Sequence, residues 1–424
     1  MTEIEQAAEA AVVVDRSSHS ISRRRIPENV LKVLYRLHRS GYRAYLCGGS
    51  VRDLLMNREP KDFDIATDAH PMEIRRLFRN SRIIGRRFRL VHVIFQDMIV
   101  EVSTFRREPE RSGEEGEDLL ITDDNTFGSP LQDARRRDFT INALFYDIAT
   151  YSIIDYVGGL QDLENRIIRS IGDPGTRFLE DPVRMLRAVV FASRLDFAID
   201  QPILDAFETH RHEIGRAAPA RLMEEYFKIL RSGAAAKTFG MLKDTRLLRE
   251  ITPELDAAGD ALWESLTRLD RYRQQFPGAP DTLTNAILAG TLLAPLGLAG
   301  RERRFSADPL ERRVELGMLP IPRRDVERLH QVLALQPRLL DLRAPFRAQR
   351  ALLHRHVLQE ALTWLEIHGG RPDVLEHWRA LQAQPGPGTP LTESAAPGPS
   401  DAAGLRRRRR RRRRRPRSAP RSSG

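Results

Sequence analysis

The block from Arg43 to Thr67 constrains this chain more than any other. Arg43–Cys47 reads as a strand, Gly48-Gly49-Ser50-Val51-Arg52-Asp53 as a turn running into a short helix over Val51–Met56, and Phe63–Ala66 as a second strand. The stretch Lys61-Asp62-Phe63-Asp64-Ile65-Ala66-Thr67 sets two carboxylates two residues apart. Strand side chains alternate, so Asp62 and Asp64 fall on one face and Phe63 and Ile65 on the other. Two carboxylates on one face form a hard oxygen site, of the kind Mg²⁺ takes when shared with substrate phosphates. The glycine pair lets a triphosphate approach the backbone at a helix start. Ser50 is placed to cap that helix, and Arg52 to reach a phosphate one turn in. Together these features point to nucleotidyl transfer. The plainer alternative is a solvated strand edge, and the glycine element at short range weighs against it. The spacing matches neither a Walker loop nor a Rossmann fingerprint.

Composition sets the frame. A chain of 424 residues accommodates two or three domains, and 41% hydrophobic content supplies real cores. No stretch approaches the roughly 18 apolar residues of a membrane span. Ala7–Val14 contains Glu9 and has no basic leader, so it does not read as a signal peptide. The single cysteine, Cys47, excludes an internal disulfide framework, fits a cytoplasmic, reducing setting, and is expected to pack rather than react. The net charge of +11 is concentrated at one end: residues 405–424 carry twelve arginines, ten of them consecutive, and no acid. The rest of the chain is therefore near neutral. Such a run repels itself and cannot bury, so it is expected to be disordered and to attract a polyanion.

Residues 1–25 read as a polar, poorly ordered lead-in. Pro27–Arg39 has helical spacing, Pro71–Arg79 reads as a helix, and Val91–Phe95 and Ile99–Thr104 as paired strands. Glu108–Asp124 is acidic and aperiodic, a loop. Pro130–Leu144 is expected to be helical, with a hairpin over Phe145–Ile148 and Ser152–Tyr156. Beyond about residue 158 strand character fades, and 200–380 reads as successive helices. Gln382–Gly404 is a Pro/Gly/Ser/Ala linker. The expected class is α+β: an N-terminal α/β head over 26–157, a helical neck over 158–235, a helical body over 236–381, and a linker and basic tail over 382–424.

Four further segments carry chemistry. Glu101, between Val100 and Val102, either completes an acidic cluster with Asp62 and Asp64 or faces solvent. In Arg135–Leu144, Arg137 and Asp138 are the first choices for contacting a triphosphate and ribose, with Asn142 one helical turn beyond Asp138. In Glu180–Arg187, Asp181, Arg184 and Arg187 recur every third residue; they either present acceptors and donors to a base edge or form an intrahelical ion pair. In Gly85–Val93, Arg86, Arg87 and Arg89 surround Phe88, a mix suited to nucleic acid. His92 reads as structural. His354 and His356 form no metal-ligand pattern.

In this order, Gly48–Asp53, Asp62/Asp64, Arg136–Leu144 and Glu180–Arg187 resemble the class II nucleotidyltransferases, which comprise bacterial poly(A) polymerases and CCA-adding enzymes. The resemblance covers about residues 25–235. It implies a palm-like head followed by helical neck and body. It also implies that Asp62 and Asp64 hold two Mg²⁺ ions (Mn²⁺ substituting), assisted by a third carboxylate, Asp138 or Glu101. ATP would lie against Gly48, Gly49, Ser50, Arg52, Arg137, Asp138, Asn142, Asp181, Arg184 and Arg187. RNA 3′ ends are the implied partner, contacted by Arg86, Arg87 and Arg89 and by the tail from Arg406, Arg407, Arg408, Arg409 and Arg410 onward. Val190 departs from the arginine usual at its place. The Gly85–Val93 stretch, the acidic loop, Arg135–Tyr146 and the arginine-rich extension resemble the polymerase version, so template-independent AMP addition is the implied activity. A CCA-adding enzyme acting on tRNA is the alternative, and a non-catalytic RNA-binding protein with an inactive head is a second.

Overall fold

Alternating apolar residues give the head sheet its first dry face. Leu46, Ile65, Val102 and Val91 stand opposite one another on four neighbouring strands and are fully buried. The computed structural model describes residues 11–85, 89–108, 126–299 and 315–384. The head sheet has eight strands: β1 (Val12–Val14), β2 (Ala44–Cys47), β3 (Asp64–Thr67), β4 (Ser81–Ile84), β5 (Leu90–Ile94), β6 (Ile99–Thr104), β7 (Phe145–Asp147) and β8 (Ile153–Asp155), in the order β1-β8-β7-β2-β3-β6-β5-β4. Only β3 and β6 pair in parallel within it. Helix α1 (Glu28–Arg39) lays Val30, Val33, Leu34 and Leu37 on the Leu46–Ile65 face. The opposite face is smaller, with Cys47, Ala66, Phe105, Ala134, Ala143 and Phe145 packed together.

Four short helices link the strands to one another and to the helical part: α2 (Gly49–Leu55), α3 (Pro71–Leu77), α4 (Pro130–Arg135) and α5 (Gly159–Asn165). Then come α6 (Pro174–Glu180), α7 (Val183–Leu195), α8 (Gln201–His210) and α9 (Pro219–Leu230). From α6 to the last described helix, Pro372–Ala383, one continuous apolar core runs through the helical part. Phe139 and Ile141 join that core although they precede β7. The segment carrying them is stitched to the neck: Thr140 N–H donates to the Arg169 carbonyl (3.1 Å) and Ile171 N–H to the Asp138 carbonyl (3.2 Å). Gly159 permits this approach, because a Cβ there would lie 2.3 Å from the Thr140 carbonyl oxygen.

Several sequence expectations are corrected. Residues 11–25 are not a loose lead-in: β1 pairs with β8, and Ile21 is fully buried. Strand β4 has no counterpart in the sequence reading. The Pro130–Leu144 helix stops at Arg135; Thr140–Asn142 forms a single 3₁₀ turn, since the chain must leave the helix to bond the neck backbone. Strand pairing also persists past residue 158, in Ile167–Ile168 with Ala198–Ile199 and in Glu315–Leu316 with Leu319–Pro320. Arg86, Arg87, Phe88, most of the acidic loop, the linker from residue 385 and the arginine tail lie outside the described residues. Among the described residues, no helix is long and apolar enough to cross a membrane.

Candidate active site

Strand register places one row of chemistry across the smaller sheet face. Cys47, Asp64, Glu101 and His92 are successive partners on β2, β3, β6 and β5. Side chains in register on neighbouring strands share a face, so Glu101 points to the same side as Asp64. Asp62 lies just before β3 and is exposed. The Asp64 carboxyl is pushed up to about 6, first by burial and then by the charge of Glu101; Arg137 opposes this and Asp62 adds to it. Glu101 is half exposed, with Oε1 3.2 Å from His92 Nε2. The cluster is thus an excess of negative charge held against one guanidinium, a donor set suited to a divalent cation. Among the described residues, no three His, Cys, Asp or Glu side chains converge on one point.

Beside this row the chain turns into α2. Gly48 has φ 70° and ψ −137°, a backbone conformation that side chains disfavour, and a Cβ there would come within 3.2 Å of Arg137 Nη1. Ser50 does not cap the helix; its hydroxyl donates to the Cys47 carbonyl (2.9 Å), and Gly48 holds the cap position. Arg52 is also placed differently from expectation. It is 2% exposed, its Nε and Nη2 donate to Asp53 Oδ1 (2.9 and 2.7 Å), and its Nη1 donates to Asn142 Oδ1 (2.5 Å). Three of its five N–H donors are thus used inside the protein, directly beside the glycine turn. Cys47 is buried, and burial pushes its thiol up to about 12, far from a reactive thiolate.

The third segment supplies the frame. Asp133, on α4, accepts from Arg136 and Arg137. Burial opposes the charge on Arg137, but the Asp133 carboxylate outweighs it and keeps the guanidinium firmly protonated beside Gly48 and Asp64. Asp138 is taken up elsewhere. Its Oδ2 accepts from Arg187 (2.8 Å), while its Oδ1 accepts from Asn142 Nδ2 (3.2 Å) and Phe139 N–H (2.8 Å). Despite burial, Arg187 and these hydrogen bonds hold Asp138 below the usual carboxylate range. Of the two candidates for third carboxylate, Glu101 is therefore the one beside Asp64, and Asp138 belongs to the junction of head and neck.

On the neck, Asp181 precedes α7 and is held by Arg221 of α9 in a two-pronged pair (2.8 and 2.8 Å). Arg184 donates to Glu180 (2.8 Å) and to the carbonyls of Arg177 and Arg136. Asp181 is thus bound by Arg221, and Arg184 by Glu180. The sequence reading missed Arg221, Glu180, Asp133 and Phe191. Asp133 was detectable from its spacing to Arg136 and Arg137 at i+3 and i+4; Arg221, forty positions from Asp181, was not. Phe191 lies beneath two guanidinium groups, Arg52 at 5.4 Å and Arg187 at 5.3 Å from the ring centre. Arg89 is exposed, and its carbonyl accepts from Arg106. Arg86, Arg87 and Arg406–Arg410 lie outside the described residues.

Comparison with known proteins fits this geometry. Residues 44–169 match the family described as "Poly A polymerase head domain", and residues 196–258 match "Probable RNA and SrmB- binding site of polymerase A". Poly(A) polymerase I of Salmonella typhi is 47% identical over 263 residues, 59% of this chain and 57% of that protein. A CCA-adding enzyme of Lactobacillus johnsonii is 40% identical over 222 residues, 52% of this chain and 54% of that one. The chain thus spans little more than half the length of the curated relatives it matches. Among solved structures, the CCA-adding enzyme of Bacillus stearothermophilus in complex with CTP superposes with a TM-score of 0.53 at 26% identity, covering 82% of this chain and 80% of that one. In its matched head, its identity to these relatives and its fold, this chain is similar to the poly(A) polymerases and CCA-adding enzymes.

Proposed function

We propose that the protein adds AMP from ATP to RNA 3′ ends without a nucleic-acid template, as a polynucleotide adenylyltransferase in the cytoplasm. The observation that carries this reading is the pairing of Asp64 with Glu101 across parallel strands beside the Gly48 turn. Asp62 and Asp64 would hold Mg²⁺ (Mn²⁺ substituting), with Glu101 as the neighbouring third carboxylate. When bound, such ions supply Lewis acidity for in-line displacement at a phosphate. The chain's own groups then do the positioning. Gly48 and Gly49 let the triphosphate lie close to the backbone. Arg137, fixed by Asp133, presents lasting positive charge at the same edge. Asp181 and Arg184 sit at the start of α7, where an acceptor and a donor meet a base edge, and Arg187 with Asp138 ties that helix to the head.

Identity supports adenylate addition: the poly(A) polymerase relatives reach 47%, against 40% for a CCA-adding enzyme. CCA addition to tRNA is kept as the second reading because the superposed structure is a CCA-adding enzyme. Incubating the protein with Mg²⁺ and all four nucleotides, on a generic RNA and on a tRNA lacking its terminus, separates the two. Long A-only extension of both is expected. Addition of two C and one A on tRNA alone would replace the proposal with the second reading.

A further inference from the structure

Phe346 is the only large aromatic among the strongly exposed hydrophobic residues of the described chain, at 57% exposure, and Leu340, six positions earlier, is 42% exposed. An exposed aromatic ring offers a π-face on which a base can stack. Its surroundings are cationic. Between Arg338 and Arg355 the chain has five arginines, also including Arg343, Arg347 and Arg350, and one acid, Asp341. Arg350 sits over the Phe346 ring at 5.7 Å from its centre. No carboxylate among the described residues pairs with Arg338, Arg343, Arg347 or Arg355, whereas nearby Arg323 and Arg328 are paired with Glu327 and Glu360.

The platform is rigid. Helix Phe346–Leu353 follows helix Arg323–Leu340 through a short turn, and the buried Gln349 amide donates to the carbonyls of Leu342 (3.0 Å) and Ala344 (2.8 Å) within that turn. His377 Nε2 lies 2.7 Å from the side-chain Oε1 of Gln349, and Trp378 donates to the Leu339 backbone carbonyl (2.9 Å). The exposed ring and its arginines are thus mounted on a fixed corner of the helical body.

We infer that this corner is a single-stranded RNA platform: a base stacks on Phe346 beside Leu340 while Arg343, Arg347 and Arg350 neutralise the flanking phosphates. An aromatic face with a fan of unpaired guanidiniums is the combination that single strands require, because every base offers a π-face and every linkage a charge. The site lies in the body, outside the two segments matched to known families, and would hold upstream nucleotides of the strand being extended. It rests on the reading that RNA is the substrate.

The test compares wild type, Phe346→Ala, Phe346→Trp and Arg343→Glu/Arg347→Glu, all full-length, using fluorescently labelled oligoadenylates, one short and one long. Because Phe346 is exposed, these variants are expected to fold, and matched thermal melts verify that. Phe346→Ala should weaken binding of the long strand roughly five- to a hundredfold, and Phe346→Trp should restore it. The double charge reversal should reduce the salt slope by about 0.7 per lost phosphate contact. Extension of the short primer at saturating concentration should be unchanged in every variant, which separates failure of the platform from failure of the adenylyltransferase reading. Unchanged long-strand affinity and salt slope would overturn the platform. So would loss of a protein or self-association contact in the same variants with RNA binding intact, since the corner would then be a protein-docking surface.

Discussion

Asp64 and Glu101 occupy the same register position on adjacent parallel strands, so two carboxylates distant in sequence share one face of the sheet. Burial first, and then the Glu101 charge, push Asp64 up to about 6. Removing the Glu101 charge should therefore ease the ionisation of Asp64. Glu101→Gln is expected to keep the fold and to lower AMP incorporation by roughly 10–100-fold, as loss of a group that supports a metal site does. Asp138→Asn, by contrast, should act through the joint of head and neck and show as a lower melting temperature. Full activity in Glu101→Gln with none in folded Asp138→Asn would return the third-carboxylate role to Asp138.

Arg52 is a second point of decision. Its guanidinium is buried against Asp53 and Asn142. Arg52→Ala strands Asp53 without its nearest cation, and breaking a buried pair costs about 3–5 kcal/mol. Chemical denaturation should register that loss. Unaltered stability together with a raised KM for ATP would show that Arg52 meets the nucleotide directly.

Gly48→Ala tests the turn. The φ of 70° with ψ −137° is costly for alanine, about 1–3 kcal/mol, and its methyl would press on Arg137 Nη1. We expect a modest fall in stability and a much larger fall in kcat/KM, read from denaturation curves beside steady-state kinetics. A loss of stability with unchanged kinetics would remove the turn from the site.

The range of each interaction decides how much of the fold and site was legible in the sequence. The glycine turn, the Asp-x-Asp strand and most head strands are local patterns, and they lie within a residue or two of where alternation puts them. Pairings across the fold were not legible. Nothing near Asp181 announces Arg221, and nothing near Glu101 fixes it beside Asp64 until the β3–β6 register is known. Arg135–Leu144 failed differently. Its composition suits a helix, but Thr140 is needed to bond the neck backbone, so tertiary demand overrode local propensity. The motif suggests Arg52 and Ser50 for the ligand; what it does not announce is that Ser50 bonds the Cys47 carbonyl and Arg52 bonds Asp53 and Asn142.

The body offers a pH test away from the chemistry. His368 packs against Trp364, and burial first, then Arg268, lowers its imidazole to about 4. The unfolded chain takes up this proton near the ordinary histidine value of about 6.5. Between those values the unfolded state binds the proton and the folded state does not. The stability is present in full above about 6.5 and is lost as pH falls toward 4. Melting temperatures measured across that window should fall with acidification in wild type and fall less in His368→Gln. Parallel curves would show that another group governs the acid transition.

The central claim is that AMP transfer depends on the carboxylates at the start of β3. The most direct measurement is metal-dependent AMP incorporation into RNA by Asp64→Ala protein whose melting temperature and circular dichroism match wild type. The account predicts incorporation at background; substantial incorporation by that folded variant would contradict it.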